Sequence, residues 1–132
     1  LMKHLVFCIL LFISVSSFGQ NPKLTVYFNN LKNSDGKIFL LIQDEDEKDA
    51  SKLVLYINKN SSKVTVYLPK GKYGLIAFHD QNGNEKLDTN FIGIPTEYYG
   101  FSNNARGFLS KPNYQETLID LNKDLSITFE LK

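Results

Sequence analysis

Apolar and polar residues alternate with a period of two in several short runs of this chain. In KLTVYFN, residues 23–29, Leu24, Val26 and Phe28 fall on one side and Thr25 and Tyr27 on the other, as in a strand with one buried face. KVTVYLP at 63–69 repeats the pattern with Val64, Val66 and Leu68. The clearest case is LSITFELK at 125–132, with Leu125, Ile127, Phe129 and Leu131 against Ser126, Thr128 and Glu130. Three other runs, 36–43, 52–58 and 72–80, are apolar on both faces and are predicted to be central strands. A further strand is expected at 116–121. Between the runs lie NSDG at 33–36, NKNSS at 58–62, PKGK at 69–72 and NKD at 122–124, rich in the residues that reverse a chain. The sum is an all-β fold, a two-sheet antiparallel β-sandwich of about seven strands.

The first twenty residues do not fit that rhythm. LMKHLVFCILLFISVSSFGQ has a short basic start at Lys3 and His4, an apolar run from Leu5 to Val15, and small residues up to Gly19. This is the anatomy of a cleaved secretory signal at 1–19, too short in its apolar part for the roughly 20 residues that span a bilayer. Residues 20–132 then form one domain with no membrane span, exported to the periplasm or surface of a bacterium. The only cysteine, Cys8, leaves with the signal, so disulfide, thiol nucleophile and thiolate metal chemistry are all excluded. Lys3 also leaves, and the 15 basic residues fall level with the 14 acidic ones. A neutral surface argues against nucleic acid and against electrostatic docking on anionic membrane.

Candidate chemistry follows the most apolar strand, where a long loop is expected at about 81–114. DQNGNEKLD places Asp80, Asn82, Asn84 and Asp88 at relative positions 1, 3, 5 and 9, with the Lys86 carbonyl at position 7. Alternating oxygens on a tightly wound loop are what calcium needs, six to eight ligands at about 2.3–2.6 Å. Glu85 or Glu97 is a candidate to complete the shell. The spacing resembles half of an EF-hand loop, but Gly83 sits at position 4 rather than 6, and Phe91 stands where a bidentate Glu belongs. A weak structural calcium site is therefore expected. The competing expectation is a turn whose Asn and Asp side chains cap its own backbone. Asp44 to Ala50, a run of acids without Gly or Asn, is expected to be a solvated loop or one helical turn.

Beyond the polar cluster, Tyr98, Tyr99, Phe101 and Asn103 are candidates for a platform that takes a glycan, a peptide or an envelope protein. The alternative is that they pack on the domain itself. Arg106, the only arginine, is a candidate partner for Glu97 or Asp88 through its planar fork.

The same stretch carries a resemblance. His79-Asp80, Asn82-Gly83-Asn84, Lys86-Leu87-Asp88-Thr89-Asn90, Gly93-Ile94-Pro95 and Tyr99-Gly100-Phe101-Ser102-Asn103 resemble the signature of a secreted bacterial family, domain of unknown function 2141. Most of residues 20–132 share the likeness; Lys111-Pro112-Asn113-Tyr114 departs from the Pro-Pro and Phe-Glu usual there. The resemblance implies export, an immunoglobulin-like or transthyretin-like sandwich, and no particular activity. Asp80, Asp88, Glu85 and Glu97 would supply a carboxylate pair for a hydrolase, with His79 as base. His79 and Asp80 are strand neighbours, however, and should point to opposite faces. No nucleophile elbow, zinc spacing or phosphate loop is present. The expectation is a secreted, non-catalytic binding or accessory module with a calcium-stabilised loop; the alternative is a purely structural envelope domain.

Overall fold

The computed structural model describes residues 19–29, 31–108 and 110–132; the expected signal segment lies, but for Gly19, outside the described residues. Eight strands are formed: β1 (Lys23–Phe28), β2 (Lys37–Asp44), β3 (Asp49–Tyr56), β4 (Ser62–Tyr67), β5 (Gly71–Asp80), β6 (Tyr99–Phe101), β7 (Leu118–Leu121) and β8 (Leu125–Phe129). A 3-10 turn at Ser102–Asn104 and a one-turn helix, α1 (Tyr114–Thr117), complete the described elements. One sheet has the order β4-β1-β8 and the larger one runs β3-β2-β5, with β6 and β7 beyond.

The two sheets bury their alternating apolar positions against each other. Leu24, Val26, Phe28 and Phe129 of the smaller sheet and Ile38, Leu40, Ile42, Leu75 and Ala77 of the larger one belong to a single core. Phe28 and Phe129 meet with ring centroids 5.1 Å apart. The architecture is the expected β-sandwich, with one strand more than the alternation suggested.

One pairing departs from the antiparallel expectation: β8 runs parallel to β1, with Leu24 opposite Leu125 and Phe28 opposite Phe129. β8 reaches the smaller sheet from β7 in the larger one, so its direction is set by that crossing and not by a hairpin. The Asp124 carboxylate fixes the crossing by accepting the Lys23 N–H at 2.8 Å.

The second edge of β5 organises the rest. Its first edge pairs with β2 from Tyr73 to Asp80. The second is divided: β7 takes Gly71 to Gly74 and β6 takes Ile76 to Phe78. Leu75 falls in the gap, and there the buried Ser102 hydroxyl accepts the Leu75 N–H at 2.9 Å and donates to the Thr117 carbonyl. A side chain thus supplies the partner that neither short strand reaches.

Two local expectations are corrected and a third is settled. The run at 52–58 is apolar on both faces but forms the edge strand β3, because β2 is its only partner; Val54 and Tyr56 stay exposed. Of the two expectations for the acidic run, the solvated loop holds, since residues 45–48 are exposed and not helical. It closes the β2–β3 hairpin, where the Asp44 side chain accepts the Asp46 and Lys48 N–H groups and Glu47 turns at φ 60°. The strand expected at 116–121 starts two residues later, since Asn113 caps Gln115 and holds Tyr114 to Thr117 in one helical turn. The Tyr114 hydroxyl then bonds the Asp44 carbonyl at 2.6 Å.

The β1–β2 connection is pressed against the end of β5. Gly36 has φ 67°, and a Cβ there would stand 1.8 Å from the Asp80 carbonyl oxygen. Gly36→Ala combines a left-handed backbone with displacement of a buried strand end, and is expected to lose about 2–4 kcal/mol. Urea unfolding measures it, against Gly83→Ala as a control that shares the positive φ but has open space around it.

Candidate functional site

β5 ends in a neighbouring pair that the pleat separates. His79 is fully buried, and its Nε2 donates to the Asp35 carbonyl at 2.6 Å. Asp80 projects the other way, 1% exposed. Its Oδ2 accepts the Glu85 N–H at 2.8 Å, while Oδ1 has no partner. The Asp80 carboxylate therefore closes a turn from Asp80 to Glu85 that includes Gly83 at φ 72° and Glu85 at φ 63°.

Of the expected ligand set, Asn82 and Asn84 come together around Asp88. The Asn82 and Asn84 side-chain amides both donate to its carboxylate, Asn82 at 2.6 Å. Their oxygens face the backbone, accepting the N–H groups of Asn84 and Lys86. These amides, Asn84 first and Asn82 next, hold the Asp88 carboxyl below the usual carboxylate range. Among the described residues, no cluster of three or more His, Cys, Asp and Glu side chains is arranged to hold a metal. Oxygen ligands from amides and backbone fall outside such a cluster. The Glu85 and Lys86 side chains are left to the surface side of the turn, and both residues enter it through backbone N–H groups.

Glu97 performs a different task from the one expected. It is buried, and its two oxygens accept the Gln81 N–H at 2.8 Å and the Asp88 N–H at 3.0 Å. It straps the two ends of the turn together. Burial pushes its carboxyl up, the two backbone N–H bonds pull it down, and the nearby Asp88 carboxylate raises it further.

Past Asp88 the chain makes a second tight turn. Asn90 holds it by accepting the Ile92 and Ile94 N–H groups on its side chain and the Gly93 N–H on its carbonyl. Thr89 bridges Pro95. The result is a closed tip that keeps Phe91 at 100%, Ile92 at 69% and Ile94 at 53% exposure. Sequence reasoning placed these residues in the loop without separating them from the tyrosines that follow. The signal was there in Asn-x-x-Gly, a turn that presents the residues between.

The four platform candidates are divided by the sheet. Tyr98 packs on the core, with Lys32 over its ring. Tyr99 and Phe101 share the outer face of β6, edge to face at 6.2 Å. Asn103 turns at φ 60° and donates to the Glu116 and Leu118 carbonyls, tying the 3-10 turn to α1 and β7. Arg106 pairs with neither Glu97 nor Asp88. Its guanidinium lies 4.6 Å over the Tyr99 ring and donates to the Tyr99 carbonyl at 2.7 Å, because the turn at Ser102 folds the chain back over β6. A groove of about 390 Å³ lies at the other half of β5, between Leu41, Ile76, Phe101, Pro112 and Tyr114, away from His79 and Asp80.

Residues 26–128 match a family described as an uncharacterized protein conserved in bacteria, domain of unknown function 2141. The chain belongs to this family. No curated protein and no solved structure matches it. The family match runs from within β1 to within β8 and so takes in both sheets, the turn at Asp80 and the apolar tip.

The strap can be tested directly. Glu97→Ala leaves two N–H groups without an acceptor and is expected to lose about 2–4 kcal/mol in denaturant unfolding, with Glu97→Gln between it and wild type. The raised Glu97 carboxyl also sets a sign. The folded state holds this proton more tightly than the unfolded chain, so its contribution is fully present below the ordinary value of 4.5 and is lost as pH rises through the raised value. Asp88 acts the other way, adding stability that is present above 3.8 and lost as pH falls through its lowered value. Glu97→Gln should flatten the first slope and leave most of the second, which rests first on Asn84 and Asn82 and only in part on Glu97.

Proposed function

We propose that this domain is an exported, non-catalytic binding module of the bacterial envelope, and that the tip at Phe91, Ile92 and Ile94 is its contact element. The observation that carries this reading is the exposure of three large apolar side chains on a turn that is closed by hydrogen bonds. Side chains of this size each gain about 1.5–3 kcal/mol on leaving water, and this domain leaves all three in it. The N–H groups of Ile92, Gly93 and Ile94 are bonded within the turn, so a partner can cover the tip without stranding them.

The chemistry of the tip favours an apolar pocket on an envelope protein over a glycan, since Phe91 to Pro95 offers no polar side chain. A non-catalytic role fits His79, whose ring is enclosed and bonded to the Asp35 carbonyl. The expected export signal supplies the location.

A photo-reactive amino acid at position 91, with position 67 on the far sheet as control, tests the reading in living cells. A discrete adduct from 91 and none from 67 is the expected outcome. No adduct from 91, in a folded and exported protein, favours a purely structural envelope domain, whose loop serves only to cap its own sandwich.

A further inference from the structure

Asp80 is the least expected side chain in the molecule. It is 1% exposed, and one carboxylate oxygen has no hydrogen-bond partner. A buried carboxylate needs a charge partner or a full set of donors. Among the described residues the one ion pair is Lys52 with Asp49, on β3, so neither lysine nor arginine serves Asp80. Its bonded oxygen takes the Glu85 N–H, which holds the carboxylate against the loop.

Within that loop the heads of Asn82 and Asn84 converge on the Asp88 carboxylate. Rotating either amide by half a turn exchanges its NH2 for its oxygen and gives up the bond that this oxygen now makes to the Asn84 or Lys86 N–H. The same three side chains then present oxygen where they now meet, and Asp80 holds its unpartnered oxygen in the same loop. All are hard oxygen donors from a short, irregular loop, a set that suits calcium better than the smaller and more strictly octahedral magnesium.

We infer that the loop from Asp80 to Asp88 is a calcium site, with Asp80, Asp88 and the side-chain oxygens of Asn82 and Asn84 as ligands and the Lys86 carbonyl as a further one. Glu97 is not a ligand, because both its oxygens are held by backbone N–H groups; it fixes the loop's span. Two carboxylates give affinity in the weak extracellular range, roughly 0.1–1 mM. The site is independent of whatever the tip contacts, and its test needs no partner.

Thermal unfolding of the purified protein in 5 mM calcium and in excess chelator decides it. A weak native-state ligand at that concentration is expected to raise the melting temperature by roughly 4–12 °C. Asp80→Asn keeps an acceptor for the Glu85 N–H and is expected to lose the shift. Asp88→Asn, at a more exposed position, should lose it too, and carries the test if the Asp80 variant does not fold. Identical melting of the wild type in both buffers overturns the inference. So does a calcium shift that survives Asp88→Asn.

Discussion

The structure depends on giving the ten-residue strand β5 a partner along both edges. Its first edge has β2 over eight residues, a pairing that a hairpin sheet supplies readily. The second edge would expose its N–H and carbonyl groups beside the core, where an unpaired donor is costly. No single strand covers it. β7 and β6 each cover part, and Ser102 bridges the residue between them. The chain must leave β5 at Asp80 and return to its side at Tyr99.

That return also explains why the polar loop is held so firmly. Tyr99 is paired on both sides, with Phe78 of β5 in the ladder and with Lys132 through two backbone hydrogen bonds at 3.0 and 3.1 Å. Glu97 stands two residues before it and reaches back to Gln81 and Asp88. The exit and return of the excursion are therefore tied at its base, and the turn at Asp80 and the tip at Asn90 are built on a closed ring of bonds. Arg106 and Asn104 add a clamp on the far side, bonding the Glu130 carbonyl and N–H.

Much of this was legible in the residues. Period-two alternation located β1, β4 and β8 closely, because one face of each meets the core; the other meets water in β4 and β8, while in the central strand β1 Thr25 is buried as well. The convergence of Asn82, Asn84 and Asp88 was also readable, since alternate residues of a short turn must share a side. What the sequence could not give was pairing order. The run at 52–58 reads as central and is an edge, for apolar residues on both faces do not say how many neighbours a strand has. Tyr98 and Tyr99 read as one platform, yet β6 is a strand of three residues, too short to show its alternation, and the pleat sends them to opposite faces. Arg106 was assigned to a carboxylate by charge, whereas the backbone turn after Ser102 delivers it to a ring and two carbonyls. Ser102 was legible only as part of the family signature, because its role exists only once two half-strands leave a gap.

The same ring of bonds bears on recognition. An exposed apolar loop ordinarily loses conformational freedom when a partner closes on it, which subtracts from the affinity. Here Asn90 holds three N–H groups of the tip, the Thr96 N–H bonds the Asp88 carbonyl at 2.8 Å, and the Asp88 N–H is held by Glu97. Each step of the path from Phe91 back to β5 is already ordered, so little freedom remains to be lost. The polar turn and the apolar tip then have one logic. The first fixes the second in place relative to the sheet, and a side chain that touches no ligand, Glu97, is the one through which that position is set.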